Sequence, residues 1–481
     1  MEQESVTQKT ARTTFWSSIE KFSTMGIQFV VTILLARLLL PSDYGVIAML
    51  TIFIGIATNI VECGFANALI RKCDCTQKDY STAFYFNVIA SSVIYLILFF
   101  SAPWIASFYE MDILSPVLRV FSITIIINSF NIVQNAMLIK DLHFKRLAKI
   151  STIACLLSGI ISIGAAYVGF GVWALVLQSI STSFITVLLM FFYNRWMPSI
   201  LFSRESFSYL WNFGSKMLYT GILSAIYNNI YSLIIGKVYN SELLGLYNRS
   251  NHTAQLVPNI VDGIFKRNSL AIMSQVQDNQ NRLVDVYRKF VILVTFISFP
   301  CSLLLVSLAK PFTLFLLTDK WAESIIYLQI FSIGMLSLTA NTINHSIFQV
   351  TGRTDITLKA ELIKKFIGVA LVLSLIPFGT LILAVGASAF NFFCYAINLY
   401  YAKKLLGMSF SVQIKDMLPC FIAACISAFV AYIPVYFISY SAIALICGCV
   451  IGVSTYVFIT KYVIHVGVYD YINLLCKKHK S

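Results

Sequence analysis

Long apolar runs fill this chain, broken at intervals by short polar or glycine-containing stretches. In Ser91–Phe100 and Phe121–Ile127 neighbouring positions are apolar together. A membrane β-strand would instead alternate apolar and polar residues over about ten positions. The spans are therefore predicted to be helices. An α-helix crosses ~30 Å of hydrocarbon in about 20 residues. On that ruler the pattern predicts fourteen spans, near 17–39, 43–69, 82–106, 113–137, 148–168, 171–192, 213–236, 243–268, 287–309, 324–349, 360–380, 382–402, 416–438 and 440–463. Several breaks are tight, at Gly169–Gly171, Gly379–Thr380 and Ser439–Ser441. Fourteen spans use about 280 residues. The rest suffices for loops and tails, so no extramembrane domain of ordinary size is expected.

Composition agrees with that pattern. Of 481 residues, 58% are hydrophobic and 12% charged, about half the ~25% usual in soluble domains. Such a chain cannot cover soluble cores with polar surface, and it is too apolar and aromatic to be disordered. A net charge of +14 would suggest nucleic acid in a soluble protein. In a membrane protein the positive-inside rule accounts for it. With the N-terminus placed inside, only Arg37, Arg119, Lys237, Arg249, Lys310 and Lys320 fall outside the cytoplasmic face, and the other 29 of the 35 Lys and Arg lie on it. One span more or fewer would scramble this list. Both termini are therefore expected in the cytoplasm. Residues 1–14 are polar, so no cleavable signal peptide is expected.

The chain also repeats itself. Leu35-Ala36-Arg37 before Gly45 aligns with Ile235-Gly236-Lys237 before Gly245. Leu118-Arg119-Val120-Phe121-Ser122-Ile123 aligns with Leu328-Gln329-Ile330-Phe331-Ser332-Ile333, and Asn131 then falls opposite Asn341. Six helices per repeat is an even number, so the second copy enters in the same orientation. The expected fold is an all-α polytopic membrane protein with a six-helix bundle over 1–204, a related bundle over 205–408, and a helix pair with a basic tail over 409–481. Two facing bundles create a central cavity that can open to either side.

Enzyme signatures are missing. There is no GxxxxGK[ST], HExxH or GxSxG, so neither a P-loop nor catalysis is expected. The outward loops offer few acids, namely Asp43, Glu110, Asp112, Glu242, Asp319 and Glu323. Seven cysteines, Cys155, Cys301, Cys394, Cys420, Cys425, Cys447 and Cys449, sit in apolar runs and read as small core residues. Cys73 and Cys75 lack enough nearby ligands for a metal site. No metal or cofactor is expected.

Polar residues inside spans carry the positive signal, because they are costly in lipid and usually face a cavity or a partner. Span 8 stands out, with Asn248, Arg249, Ser250, Asn251, His252, Thr253 and Gln255 before Pro258 and Asn259. Arg249 and His252 are three apart, on one helical face, and Pro258 and Gly263 are expected to bend the helix. Arg249 offers forked donors suited to pyrophosphate, though an arginine in the outer third of a span can also snorkel outward. Arg119 in span 4 and Lys216 at the start of span 7 are further candidate cavity cations. Both also sit where interfacial positions are ordinary. Glu62 and His345 are candidates for coupling or gating, set against plain charge pairing for the one and hydrogen-bonded packing for the other. Tyr219, Tyr227 and Tyr231 recur along span 7, where aromatic faces could stack on sugar rings or simply pack.

Several stretches resemble a known family. Ala36-Arg37-Leu38-Leu39-Leu40-Pro41-Ser42-Asp43-Tyr44-Gly45 resembles the loop after the first span in bacterial polysaccharide flippases. Ala102-Pro103 with Ile105-Ala106 and Phe108-Tyr109, and Gln134-Asn135-Ala136 through Asp141 to Ala148, resemble the third span and fourth loop. Gly169-Phe170-Gly171-Val172-Trp173-Ala174-Leu175-Val176 and Leu244-Gly245-Leu246-Tyr247-Asn248-Arg249 are similar to the starts of the sixth and eighth spans. The set identifies the Wzx-type exporters of lipid-linked oligosaccharides, in the superfamily that includes multidrug and toxin extruders. Ser42 and Ala271 depart from the pattern, standing where an acid and a proline are common.

The resemblance implies two six-helix bundles plus a terminal pair. It implies a polyprenyl-pyrophosphate-linked oligosaccharide as substrate, turned to the outer leaflet of a bacterial inner membrane. Arg249 and Arg119 are the positions it supports as cavity cations. Membrane lipids are implied partners, and other polysaccharide-assembly proteins are left open. Nucleic acid is not expected. A cation-coupled drug exporter of the same fold is the first rival, but the deep carboxylates are few, Glu62, Asp262 and Glu361. A polysaccharide polymerase or ligase is the second, and the predicted spans leave it no large outward loop.

Overall fold

The computed structural model describes residues 6–408 and 410–463. The tail lysines Lys477, Lys478 and Lys480, read above as cytoplasmic, lie outside the described residues. No strand occurs among those described. The chain divides into two compact units, Met1–Gly245 and Leu246–Ser481.

The first unit holds α1 (Val6–Leu38), α2 (Pro41–Glu62), α3 (Phe65–Arg71), α4 (Gln77–Tyr109), α5 (Leu114–Phe121), α6 (Ile123–Lys140), α7 (Phe144–Tyr167), α8 (Val172–Asn194), α9 (Arg204–Val238) and the start of α10 (Ser241–Ala254). Local chemistry sets the breaks. Pro41 begins α2, where a missing N–H costs nothing, and the Asp43 carboxylate accepts from the Leu40 backbone at 3.0 Å. Asp79 caps α4 through the Thr76 backbone at 2.8 Å and takes the Lys72 ammonium at 2.7 Å. This bond holds the Lys72 pKa above the usual lysine value. At the far end of α4, Glu110 adopts the left-handed region with φ 58°. Its carboxylate accepts from Lys237 at 2.7 Å, which lowers its pKa. Phe65, Leu69, Phe84, Val133 and Leu210 form one apolar core, and Val31, Leu35, Ala174 and Leu175 another.

The second unit holds the rest of α10, then α11 (Leu256–Ser274), α12 (Gln280–Ser307), α13 (Ala309–Leu316), α14 (Ser324–Val350), α15 (Thr354–Leu375), α16 (Thr380–Leu406), α17 (Phe410–Phe437) and α18 (Ser441–Phe458). Tyr287, Phe290, Val291, Ile343, Ile347 and Phe348 make its main core. Phe299, Cys420, Ala423, Ala424 and Tyr456 tie α17 and α18 to α12, and the Arg288 guanidinium grips Asp416 of α17 with two bonds of 2.7 Å.

Twelve helices among the described residues are long and apolar enough to cross a membrane. The two other expected spans, 243–268 and 360–380, are also helical, as α10–α11 and α15. The eighth is too polar to count by hydropathy, for the reason its sequence gave. Its helix is interrupted at Gln255, between α10 and α11, three residues ahead of Pro258. The cysteine expectation needs correction. Cys420 is buried, but Cys301, Cys425 and Cys449 are exposed on helix surfaces. A thiol is apolar enough to face lipid, so an apolar run alone does not place it in a core.

Two close backbone approaches lie inside the first unit. A Cβ at Gly45 would lie 1.7 Å from the Ser241 carbonyl oxygen, and one at Gly245 would lie 1.9 Å from that of Pro41. The starts of α2 and α10 therefore touch backbone to backbone, at the two glycines that the expected sequence repeat aligns.

Candidate functional site

In the second unit α14 is the most enclosed helix, with Thr339, Ala340, Asn341, Thr342, Ile343 and Asn344 all buried in succession. In lipid every such polar group must find a partner inside the protein. Thr339 bonds Ser298 at 3.0 Å and Asn398 donates to Asn341 at 2.7 Å. The Tyr287 hydroxyl donates to Asn344 and receives a bond from Gln413. Toward α11, the Thr342 hydroxyl donates to Asp262, and Ser269 bonds Ser346 at 3.0 Å. These bonds lock α11, α12, α14, α16 and α17 together through polar side chains.

The candidate cations distribute as follows. Arg249 is half-buried on α10 and His252 is exposed one turn further along the same face. Below them Tyr247 packs edge-on against Phe331 with ring centroids 4.8 Å apart, and Ser250 bonds the Ser324 carbonyl at 3.0 Å. α10 thus buries an aromatic and hydroxyl face while Arg249 and His252 remain accessible. In the first unit, Arg119 ends α5. Its guanidinium lies 4.6 Å from the centre of the Phe99 ring, and its Nε donates to the Phe99 carbonyl at 3.2 Å. Lys216 is exposed on α9, two residues after Gly214, whose added Cβ would lie 2.1 Å from the Cys63 carbonyl. Glu62 precedes Cys63 as the last residue of α2 and is exposed. Glu62 and Lys216 thus flank one close contact between α2 and α9.

His345 meets charge. Its Nε2 lies 4.0 Å from Glu361 Oε1, and that oxygen accepts from Lys364 Nζ at 2.9 Å. Lys364 is only 5% exposed. Lys364 is one of the 29 cations expected on the cytoplasmic face, and Glu361 one of the few deep carboxylates. The signal that could have found them is their i,i+3 spacing at the start of an apolar run. Among the described residues no three His, Cys, Asp or Glu gather as a metal site.

Comparison with known proteins follows from this geometry. A membrane protein encoded in the cps region of Klebsiella pneumoniae, itself uncharacterized, is 26% identical over 96% of this chain and 94% of its own length. The lipopolysaccharide biosynthesis protein WzxC of Escherichia coli K12 is 23% identical over 76% of this chain and 74% of its own. Among solved structures, the lipid II flippase MurJ in an inward closed conformation has the same fold, with a TM-score of 0.73 and 15% identity, over 94% of this chain and 99% of that one. Residues 34–326 match the family described as "Polysaccharide biosynthesis protein". With more than half its length matched, this chain belongs to that polysaccharide biosynthesis family.

Proposed function

We propose that this protein is a flippase. It carries polyprenyl-pyrophosphate-linked oligosaccharide repeat units from the cytoplasmic to the outer leaflet of a bacterial inner membrane, for O-antigen, capsule or exopolysaccharide synthesis. One observation carries the reading most of all: in a chain of a polysaccharide biosynthesis family, the fold follows that of a lipid II flippase along 94% of its length. The protein works by alternating access and without catalysis, as fourteen spans grouped as bundles 1–204 and 205–408 with the helix pair of 409–481, both termini cytoplasmic. Arg249 receives the pyrophosphate, with Arg119, Lys216 and His252 as further cations of the path. Glu62 and His345 serve coupling or gating. The polyprenyl tail stays among membrane lipids, and other assembly proteins are candidate neighbours.

A charge-assisted bond contributes ~1.5–3 kcal/mol, which converts to a tenfold to hundredfold effect. Arg249→Ala is therefore expected to slow flipping in proteoliposomes by at least tenfold while its thermal unfolding stays near that of the parent. A folded Arg249→Ala protein with normal flipping would remove Arg249 from the path.

A further inference from the structure

The linker between α8 and α9 runs from Arg195 to Ser203 without regular structure. Pro198 and the left-handed Arg195, at φ 51°, break helical continuity. The stretch Arg195-Trp196-Met197-Pro198-Ser199-Ile200-Leu201-Phe202-Ser203-Arg204 sets apolar and aromatic residues between two arginines. Side chains at the start of α4 hold it. Trp196 Nε1 donates to Gln77 Oε1 at 2.8 Å, and Gln77 Nε2 donates to the Met197 carbonyl at 2.8 Å. The Ser199 and Ser203 N–H groups donate to the Ser81 and Thr82 hydroxyls, each at 3.0 Å. The Trp196 ring packs edge-on against Phe84 and Tyr80, with ring centroids 5.9 Å and 6.3 Å away.

The clamp points the apolar side chains outward. Ile200 is 93% exposed, Met197 67% and Phe202 58%. Water would drive such side chains against the protein, yet the linker spends its polar contacts on fixing the backbone with these groups outside. That arrangement suits lipid. Irregular backbone lies against lipid only where the protein satisfies its polar groups. Besides the two bonds to α4, the Arg195 and Leu201 N–H groups donate to the Phe191 and Ser199 carbonyls at 3.1 Å and 2.7 Å, and Pro198 has no N–H to satisfy. The charges fit the same place. Arg195, Arg204 and Lys78 are exposed. Arg204 opens α9, where a cation opposes the helix dipole, so helix stability does not account for it. Tyr193, Tyr209 and Trp211 on the flanking helix ends are of the residue types that settle at headgroup level.

We propose that this linker is an interfacial anchor for acidic phospholipid. Met197, Ile200 and Phe202 enter the acyl region of the adjoining leaflet, and Arg195 and Arg204 bind headgroup phosphates above them. Charge complementarity selects the occupant. A leaflet of acidic lipid offers apolar chains beneath a negative surface, which is the order in which the linker presents its apolar tip and its two bracketing cations. The anchor would serve whatever the protein carries.

The test places the full-length protein in vesicles of equimolar phosphatidylcholine and phosphatidylglycerol, with Ile200→p-benzoylphenylalanine as a photocrosslinker. Ile200 is so exposed that the probe displaces nothing. Mass spectrometry of the illuminated protein reads which lipid is attached. Each cation near an acidic lipid surface contributes about fivefold, so phosphatidylglycerol adducts are expected to exceed phosphatidylcholine adducts by about fivefold or more. With Arg195→Asn and Arg204→Gln added, the ratio is expected to fall to within about twofold of the vesicle composition. Asparagine tolerates the left-handed backbone at position 195, so this variant keeps the linker's course. Adducts in the bulk lipid ratio with both arginines present, or an unchanged ratio in the double variant, overturn the headgroup binding. The absence of any lipid adduct, or an adduct to another polypeptide when the probe is illuminated in native membranes, overturns the anchor itself.

Discussion

Asn87 on α4 is fully buried, and neither atom of its side-chain amide has a partner among the described residues. A buried polar group left unmatched costs ~1–3 kcal/mol. Asn87→Leu keeps the branched shape and removes the cost, so it is expected to raise stability by about 1–2 kcal/mol in thermal unfolding of the detergent-solubilised protein. A fall in stability would show that the amide is matched by something other than the protein. At this scale the sequence was legible in part. Arg249 and His252 announced themselves because no lipid-facing helix tolerates so polar a run. Lys364 did not, because a lysine near a basic loop looks like one more loop charge until the helix around it is packed. The partners of Asn341 and Asn344 lie on α16 and α12, more than fifty residues away, and no local pattern encodes that choice.

Helix starts and stops follow residue chemistry closely, and so most spans were readable. Pro41, Thr76 with Asp79, Gly169 and Gly379 all mark breaks where the fold has them. Pro258 belongs to the same pattern. It sits in the first turn of α11, and the break falls at Gln255, three residues before it, where its ring and missing N–H deny Ala254 the i→i−4 bond that would continue α10. Close packing, by contrast, is invisible until helices meet. The Gly45 and Gly245 contacts leave no room for any side chain, so Gly45→Val must separate the starts of α2 and α10. It is expected to leave little folded protein after detergent extraction. Gly26→Ala, at a position with nothing within 4 Å, is expected to behave as the parent within about 0.5 kcal/mol. Equal yields of the two variants would mean that the contact does not hold the helices.

For the whole molecule, composition alone was enough to place the chain in a membrane, and the positive-inside rule fixed an expected topology without a structure. Twelve helices meet the length and hydropathy test among the described residues. The other two expected spans are helices whose polarity or charge obscures them. What sequence pattern could not supply is the buried polar scaffold around α14, since it depends on five helices arriving together. The account as a whole stands on transport. The most direct measurement places a fluorescent polyprenyl-pyrophosphate oligosaccharide in both leaflets of proteoliposomes and follows its accessibility to an impermeant outside reagent, with and without the protein. Without protein, only the outer-leaflet half is expected to react. With protein, the inner half is expected to become reactive as well. An inner half that stays protected, together with uptake of a cationic dye under an ion gradient, would contradict the account and point to a drug exporter of the same fold.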